Sequence, residues 1–122
     1  MFTIMPNHIH IGLQELQQQG VSHYMQRVLN AYAKYFNTKY QRVGHVFEGP
    51  FRAVFIESNE QFLYLSAYLH CNPRELPNWK NKAYNYPRST YQDYIGKNRW
   101  GEFVERSGAK DRMIFKTGTD FL

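Results

Sequence analysis

The run Asn7-His8-Ile9-His10-Ile11-Gly12-Leu13 decides how the rest of the chain is read. Apolar Ile9, Ile11 and Leu13 alternate with His8, His10 and Gly12. A period of two is that of a half-buried β-strand. Residues two apart on a strand face the same way, so both imidazoles share one side while Ile9 and Ile11 anchor the other. Two imidazoles on one face can bind one ion. The same pattern also describes two histidines on a solvated strand face that do no chemistry.

Further along, Gln14 to Gly20 is polar and reads as a loop. Gly20 or Ser22 opens a helix running to about Lys39, with Val21, Met25, Val28, Leu29, Tyr32 and Phe36 on one stripe. Gly44, Gly49 and Pro50 make Gln41 to Pro50 a loop. Phe51 to Glu57 reads as a strand, with Phe51, Ala53 and Phe55 alternating against Arg52, Val54 and Ile56. Ser58 or Asn59 makes an N-cap for a helix over about Glu60 to Cys71, with Phe62, Leu65 and Leu69 on one face. Pro73 disfavours helical geometry at Asn72, so the helix is expected to stop there. Arg74 to Tyr86 reads as irregular, and Ser89 or Thr90 starts a short helix stopped by Gly96. The last 25 or so residues show no strong period and are assigned little structure.

The second helix supplies a second signal. Tyr68 and Asn72 are four apart and share a face, and Tyr64 continues the line. Taken singly, Tyr68 reads as a half-buried tyrosine and Asn72 as a turn residue before proline. A strand His-x-His facing a helical Tyr-x-x-x-Asn would gather two nitrogen ligands, one amide oxygen and a phenol. A mixed, partly open set of this kind suits Mg²⁺ or Mn²⁺. Such an ion acts as a Lewis acid on a phosphate. A phenol, weak at its ordinary pKa of ~10, becomes a competent nucleophile when held in line with that phosphate.

Composition bounds these readings. The chain has 122 residues, enough for a single domain, and 43% are hydrophobic. No apolar run approaches the ~18 residues that a membrane span needs. The lone Cys71 cannot form an internal disulfide, which points to a reducing compartment. Fifteen Lys and Arg against ten Asp and Glu leave a charge of +5. The basic residues cluster over Gly20–Ile56 and Arg74–Arg99, interleaved with ten Tyr, nine Phe and two Trp. Cations meet phosphates and exposed rings stack on bases, so the balance suits a nucleic-acid strand; a basic surface of no special purpose is the alternative reading.

The ordered motifs carry a resemblance. Met5-Pro6-Asn7-His8-Ile9-His10 resembles the MPNHxH signature of the insertion-sequence and REP-associated tyrosine transposases, which are single-tyrosine HUH endonucleases. The likeness continues through Tyr35-Phe36-Asn37 and Arg42-Val43-Gly44-His45-Val46-Phe47-Glu48-Gly49. Tyr68-Leu69-His70-Cys71-Asn72-Pro73 is similar to the family's YIHxNP, and Tyr86-Pro87-Arg88-Ser89-Thr90-Tyr91 to its YPWSSY. The order and rough spacing agree over most of Met5 to Gly96.

The resemblance implies metal-dependent cleavage and joining of single-stranded, hairpin-bearing DNA in transposition. His8 and His10 match metal ligands, and Asn72 matches the third ligand of this branch. Tyr68 matches the nucleophile, which forms a 5′-phosphotyrosine link and leaves a free 3′-hydroxyl. The implied setting is the cytoplasm, at a prokaryotic nucleoid. The chain departs from the pattern in three places. Relatives carry further elements before the His-x-His segment, where this chain starts almost at it. Pro50 stands where a basic residue is common, and Arg88 replaces a Trp.

The expected fold is therefore α+β, one domain over 1–122. It should be an antiparallel sheet flanked by helices, of ferredoxin-like HUH type, with its N-terminal elements missing. The sheet is expected to be incomplete, or completed by a second copy in a homodimer. The His strand should be central and the Tyr helix should lie across it. Arg42, Arg52 and Arg74 flank the motifs as phosphate contacts, and His45 could touch DNA from its loop. His70 should serve packing or a hydrogen bond, and His23 solvent. Two rival functions remain: a truncated, non-catalytic DNA-binding remnant, and a basic module that binds RNA or DNA without covalent chemistry.

Overall fold

A computed structural model describes residues 1–104 and the strand Met113–Thr117. Four strands form one antiparallel sheet: β1 (Phe2–Ile4), β2 (Ile9–Gln14), β3 (Arg52–Phe55) and β4 (Met113–Thr117). Their order across the sheet is β1-β2-β4-β3. The helices are α1 (Gly20–Lys39), α2 (Asn59–Cys71) and the short α3 (Tyr91–Ile95). The architecture is α+β, with helices packed on an antiparallel sheet.

The alternation in β2 sorts the helices. Ile11 and Leu13 pack with Val21 and Met25 of α1. His10 and Gly12 are buried on the other face. There Met1, Phe62 and Leu69 form a second cluster, joined by Ile56, Leu65 and Tyr94. The α1 stripe and the α2 stripe therefore cover opposite faces of the sheet. In the β3 segment, Phe51 joins the α1 side and Ile56 the α2 side, as a period of two requires.

Local chemistry explains the element ends. The Ser58 hydroxyl accepts the Gln61 amide at 3.1 Å and caps α2. Gln61 in turn accepts the Glu57 amide at 2.7 Å. α1 starts after Gln19 (φ 60°) and ends before Gln41 (φ 51°), both left-handed. Gly44, at φ 96°, holds a turn that a side chain would strain. The Asn37 amide donates to its carbonyl at 2.9 Å and ties the loop to the helix. Arg74 to Tyr86 is a series of short 3₁₀ turns rather than wholly irregular chain.

The sheet has four strands within one chain, with the His strand inside it. One expectation needs correction. The tail, assigned little structure, supplies β4, which lies between β2 and β3. The α2 helix ends at Cys71, as Pro73 leads one to expect, while Asn72 itself keeps helical dihedrals (φ −50°, ψ −39°). A 3₁₀ turn over Asn72–Glu75 takes up the chain and hides Pro73 in the core.

The segment Arg88–Thr90 lies along the outer edge of β1. The Ile4 amide donates to Arg88, and the Thr90 amide to Phe2. The Tyr86 hydroxyl donates to the Ile4 carbonyl at 2.9 Å. Covering the edge in this way removes a template for pairing with other chains.

Candidate metal and tyrosine site

β1 and β2 form a hairpin in which Thr3 lies opposite His10 and Ile4 opposite Ile9. Between the strands, the Met5 amide donates to the His8 carbonyl at 2.8 Å. His8 is thus the last residue of the turn, not a residue inside the strand. Its Nδ1 lies 2.7 Å from Asn7 Oδ1, which orients the ring. The two imidazoles still meet, edge to face, with centroids 4.7 Å apart. That is close enough for two ring nitrogens to converge on one ion.

His10 is buried, so the solvated-face reading of the pair does not hold for it. α2 crosses above it and brings Tyr68 against the ring, with centroids 5.4 Å apart at 76°. Leu69 is fully buried and Phe62 nearly so, which fixes the rotation of α2. Tyr68 is 45% exposed and can reach a solvent-borne substrate. Tyr64, one turn earlier, is 71% exposed.

Asn72 is buried, and its Nδ2 has no hydrogen-bond partner among the described residues. A buried amide left without a partner is costly. The two ends of the amide are assigned rather than seen, so the same position can present its oxygen. An amide oxygen there would suit a cation ligand, and two imidazoles with one amide fit a hard or borderline divalent ion. Among the described residues, no three His, Cys, Asp or Glu side chains cluster to hold a metal. The donor set expected from the sequence, His8, His10 and Asn72, is of a different kind, because its third member is an amide.

The four basic candidates divide into two groups. The register pairs Arg52 with Thr117 and Ile11 with Lys116. Extended by one residue, it sets His10, Thr117 and Arg52 in one row across a single face. Arg52 then stands two strands from His10, about 10 Å away. Arg74 is exposed in the turn that follows Asn72. Arg42 instead lies over the Phe36 ring at 5.5 Å, and His45 is exposed in the same loop. These two belong to the end of α1, not to the histidine–tyrosine cluster.

A buried polar network lies behind the site. His70 Nε2 lies 2.9 Å from Thr90 Oγ1, which donates to the Phe2 carbonyl. Burial, followed by the nearby N-terminal ammonium, holds the His70 pKa down to about 4. The imidazole is therefore neutral at pH 7 and serves packing and hydrogen bonding, as expected. His23 is exposed. Asp93 is fully buried and receives Arg99 through Nε and Nη2 at 2.9 and 2.8 Å. The Arg99 hydrogen bonds hold its carboxylate below the usual pKa. Arg99 also donates to the Pro87 and Ser89 carbonyls. No spacing rule in the sequence links Asp93 to Arg99, six residues apart across Gly96.

No family model, curated protein or solved structure matches the chain. Among the described residues, no helix is long and apolar enough to cross a membrane.

Proposed function

We propose that the chain is a metal-dependent single-stranded DNA endonuclease of the tyrosine HUH transposase type, with Tyr68 as nucleophile. The observation that carries this reading is the meeting of His8, His10 and Tyr68, with a buried Asn72 amide one turn further along α2. These residues come from a hairpin and a helix far apart in sequence. The antiparallel sheet, with β2 inside it and α2 across it, supports a ferredoxin-like HUH scaffold.

His8, His10 and Asn72 would hold Mg²⁺ or Mn²⁺. When bound, the ion supplies Lewis-acid polarisation of the scissile phosphate. Tyr68 attacks phosphorus through its phenolic oxygen, and the bond from phosphorus to the 3′-oxygen breaks. The product is a 5′-phosphotyrosine with a free 3′-hydroxyl; the phenolic proton leaves to solvent and the 3′-oxygen takes one up. Packing of the Tyr68 ring on His10 limits its rotation and supplies orientation. Arg52, in the same cross-sheet row, and Arg74, in the turn after Asn72, would receive flanking phosphates. Joining is the reverse step, in which a 3′-hydroxyl attacks the phosphotyrosine.

The test is incubation with hairpin-bearing single-stranded DNA and Mn²⁺, followed by denaturing electrophoresis. A covalent adduct is expected, and it should vanish with EDTA or in the double variant His8→Ala, His10→Ala. Salt-sensitive binding without any adduct would replace this reading with that of a non-catalytic DNA-binding module.

A further inference from the structure

We propose that the C-terminal half of α1 and the loop after it form a stacking platform for unpaired bases of a nucleic-acid strand, separate from the tyrosine site. The buried side chains of α1, Val21 and Met25, lie in its first two turns. Beyond them the helix carries a train of rings. Tyr32 meets Tyr35, Phe36 and Phe47 with centroids 6.3, 6.0 and 5.9 Å apart, and Phe36 meets Tyr40 at 4.6 Å. Phe36 and Phe47 are half-buried and form the base of the cluster. Tyr35 and Tyr40 stand outside it, 56% and 54% exposed.

Cations are set among these rings. Lys39 Nζ lies 5.6 Å from the Tyr35 centroid and 5.3 Å from that of Tyr40. Arg42 lies over Phe36. α1 holds no Asp or Glu over its 20 residues, while Arg27, Lys34 and Lys39 are basic. An exposed pair of rings beside these cations, on a helix without acids, matches a strand whose bases stack and whose phosphates need neutralising. An acidic peptide would use the charges but not the rings. Duplex DNA keeps its bases stacked on one another and offers the rings nothing. α1 covers the sheet face opposite to α2, so the platform would grip a part of the strand remote from the cut. Its identity as DNA rests on the function proposed above.

The test measures binding of a labelled, unstructured oligothymidylate by anisotropy, with Tyr68→Phe in every protein so that no bond forms. The pair Tyr35→Ala, Tyr40→Ala should weaken binding about 10–100-fold. The pair Tyr35→Phe, Tyr40→Phe keeps the stacking faces and should stay within about twofold of the parent. Lys39→Gln with Arg42→Gln should weaken binding and reduce the salt slope by about 1.4, at ~0.7 per lost phosphate contact. An unchanged melting temperature in the alanine pair separates lost stacking from lost folding. Parent-like binding by the alanine pair would overturn the proposal. So would equal loss in the phenylalanine pair, or a polyglutamate that binds with the same ring dependence. A ring effect without any Tyr68 adduct in the unsubstituted chain would leave the platform standing and remove the endonuclease reading. An adduct without a ring effect would do the reverse.

Discussion

His8 and His10 are legible as a pair because a strand's period of two fixes which side chains share a face. Which face is buried is not legible, because that depends on where α2 packs. The structure buries His10 and places Tyr68 on it, leaving His8 at the turn where solvent reaches. Asn72 is readable from its four-residue spacing, yet its helical dihedrals go against the usual preference before proline. Two predictions belong here. Tyr68→Phe removes one hydroxyl from a residue that is 45% exposed, so urea unfolding should change by less than about 0.5 kcal/mol while covalent adduct formation is lost. The second concerns His70, whose imidazole stays neutral when folded down to about pH 4 but takes up a proton below about 6.5 when unfolded. The unfolded chain then binds more protons across that window, so stability falls as pH drops. The contribution is whole above pH 6.5 and about 3 kcal/mol smaller at pH 4. Unfolding curves at pH 7 and 4.5 should show this drop in the parent and a much smaller one in His70→Gln.

Helix α2 is the most readable element, since its cap, its apolar stripe and its stop all appear in sequence. Strand β4 is not readable. Met113-Ile114-Phe115-Lys116-Thr117 opens on three consecutive apolar residues, which give no period of two, and its place between β2 and β3 comes from backbone pairing with distant segments. The edge cover of β1 escapes sequence reading for another reason: its hydrogen bonds run through the backbone of Arg88 and Thr90, which leaves no side-chain pattern. Ser58→Ala should cost about 1 kcal/mol by removing the α2 cap. Leu69→Ala should cost about 3 kcal/mol, because Leu69 has no exposure. Thermal unfolding checks both, and the Leu69 variant should also lose adduct yield as α2 loosens over His10.

Across the whole molecule, the site depends on two distant tethers. β1 pairs with β2 on one side and is covered by the Tyr86–Thr90 segment on the other. Arg99 ties that segment to Asp93, whose buried carboxylate would otherwise lack its charge partner. Asp93→Ala should cost about 2–3 kcal/mol, and hydrogen exchange should rise at the Ile4 and Thr90 amides before it rises in α1. The motifs include Tyr86 to Tyr91 without giving the segment a role; the structure makes it the outer rail of the His hairpin.

The most direct measurement is mass mapping of the DNA adduct formed with a hairpin-bearing single strand and Mn²⁺. The nucleotide mass should sit on Tyr68, the tyrosine packed on His10. Attachment at Tyr64, the more exposed ring one turn away, or no attachment at all, would contradict the assignment of nucleophile and metal site together.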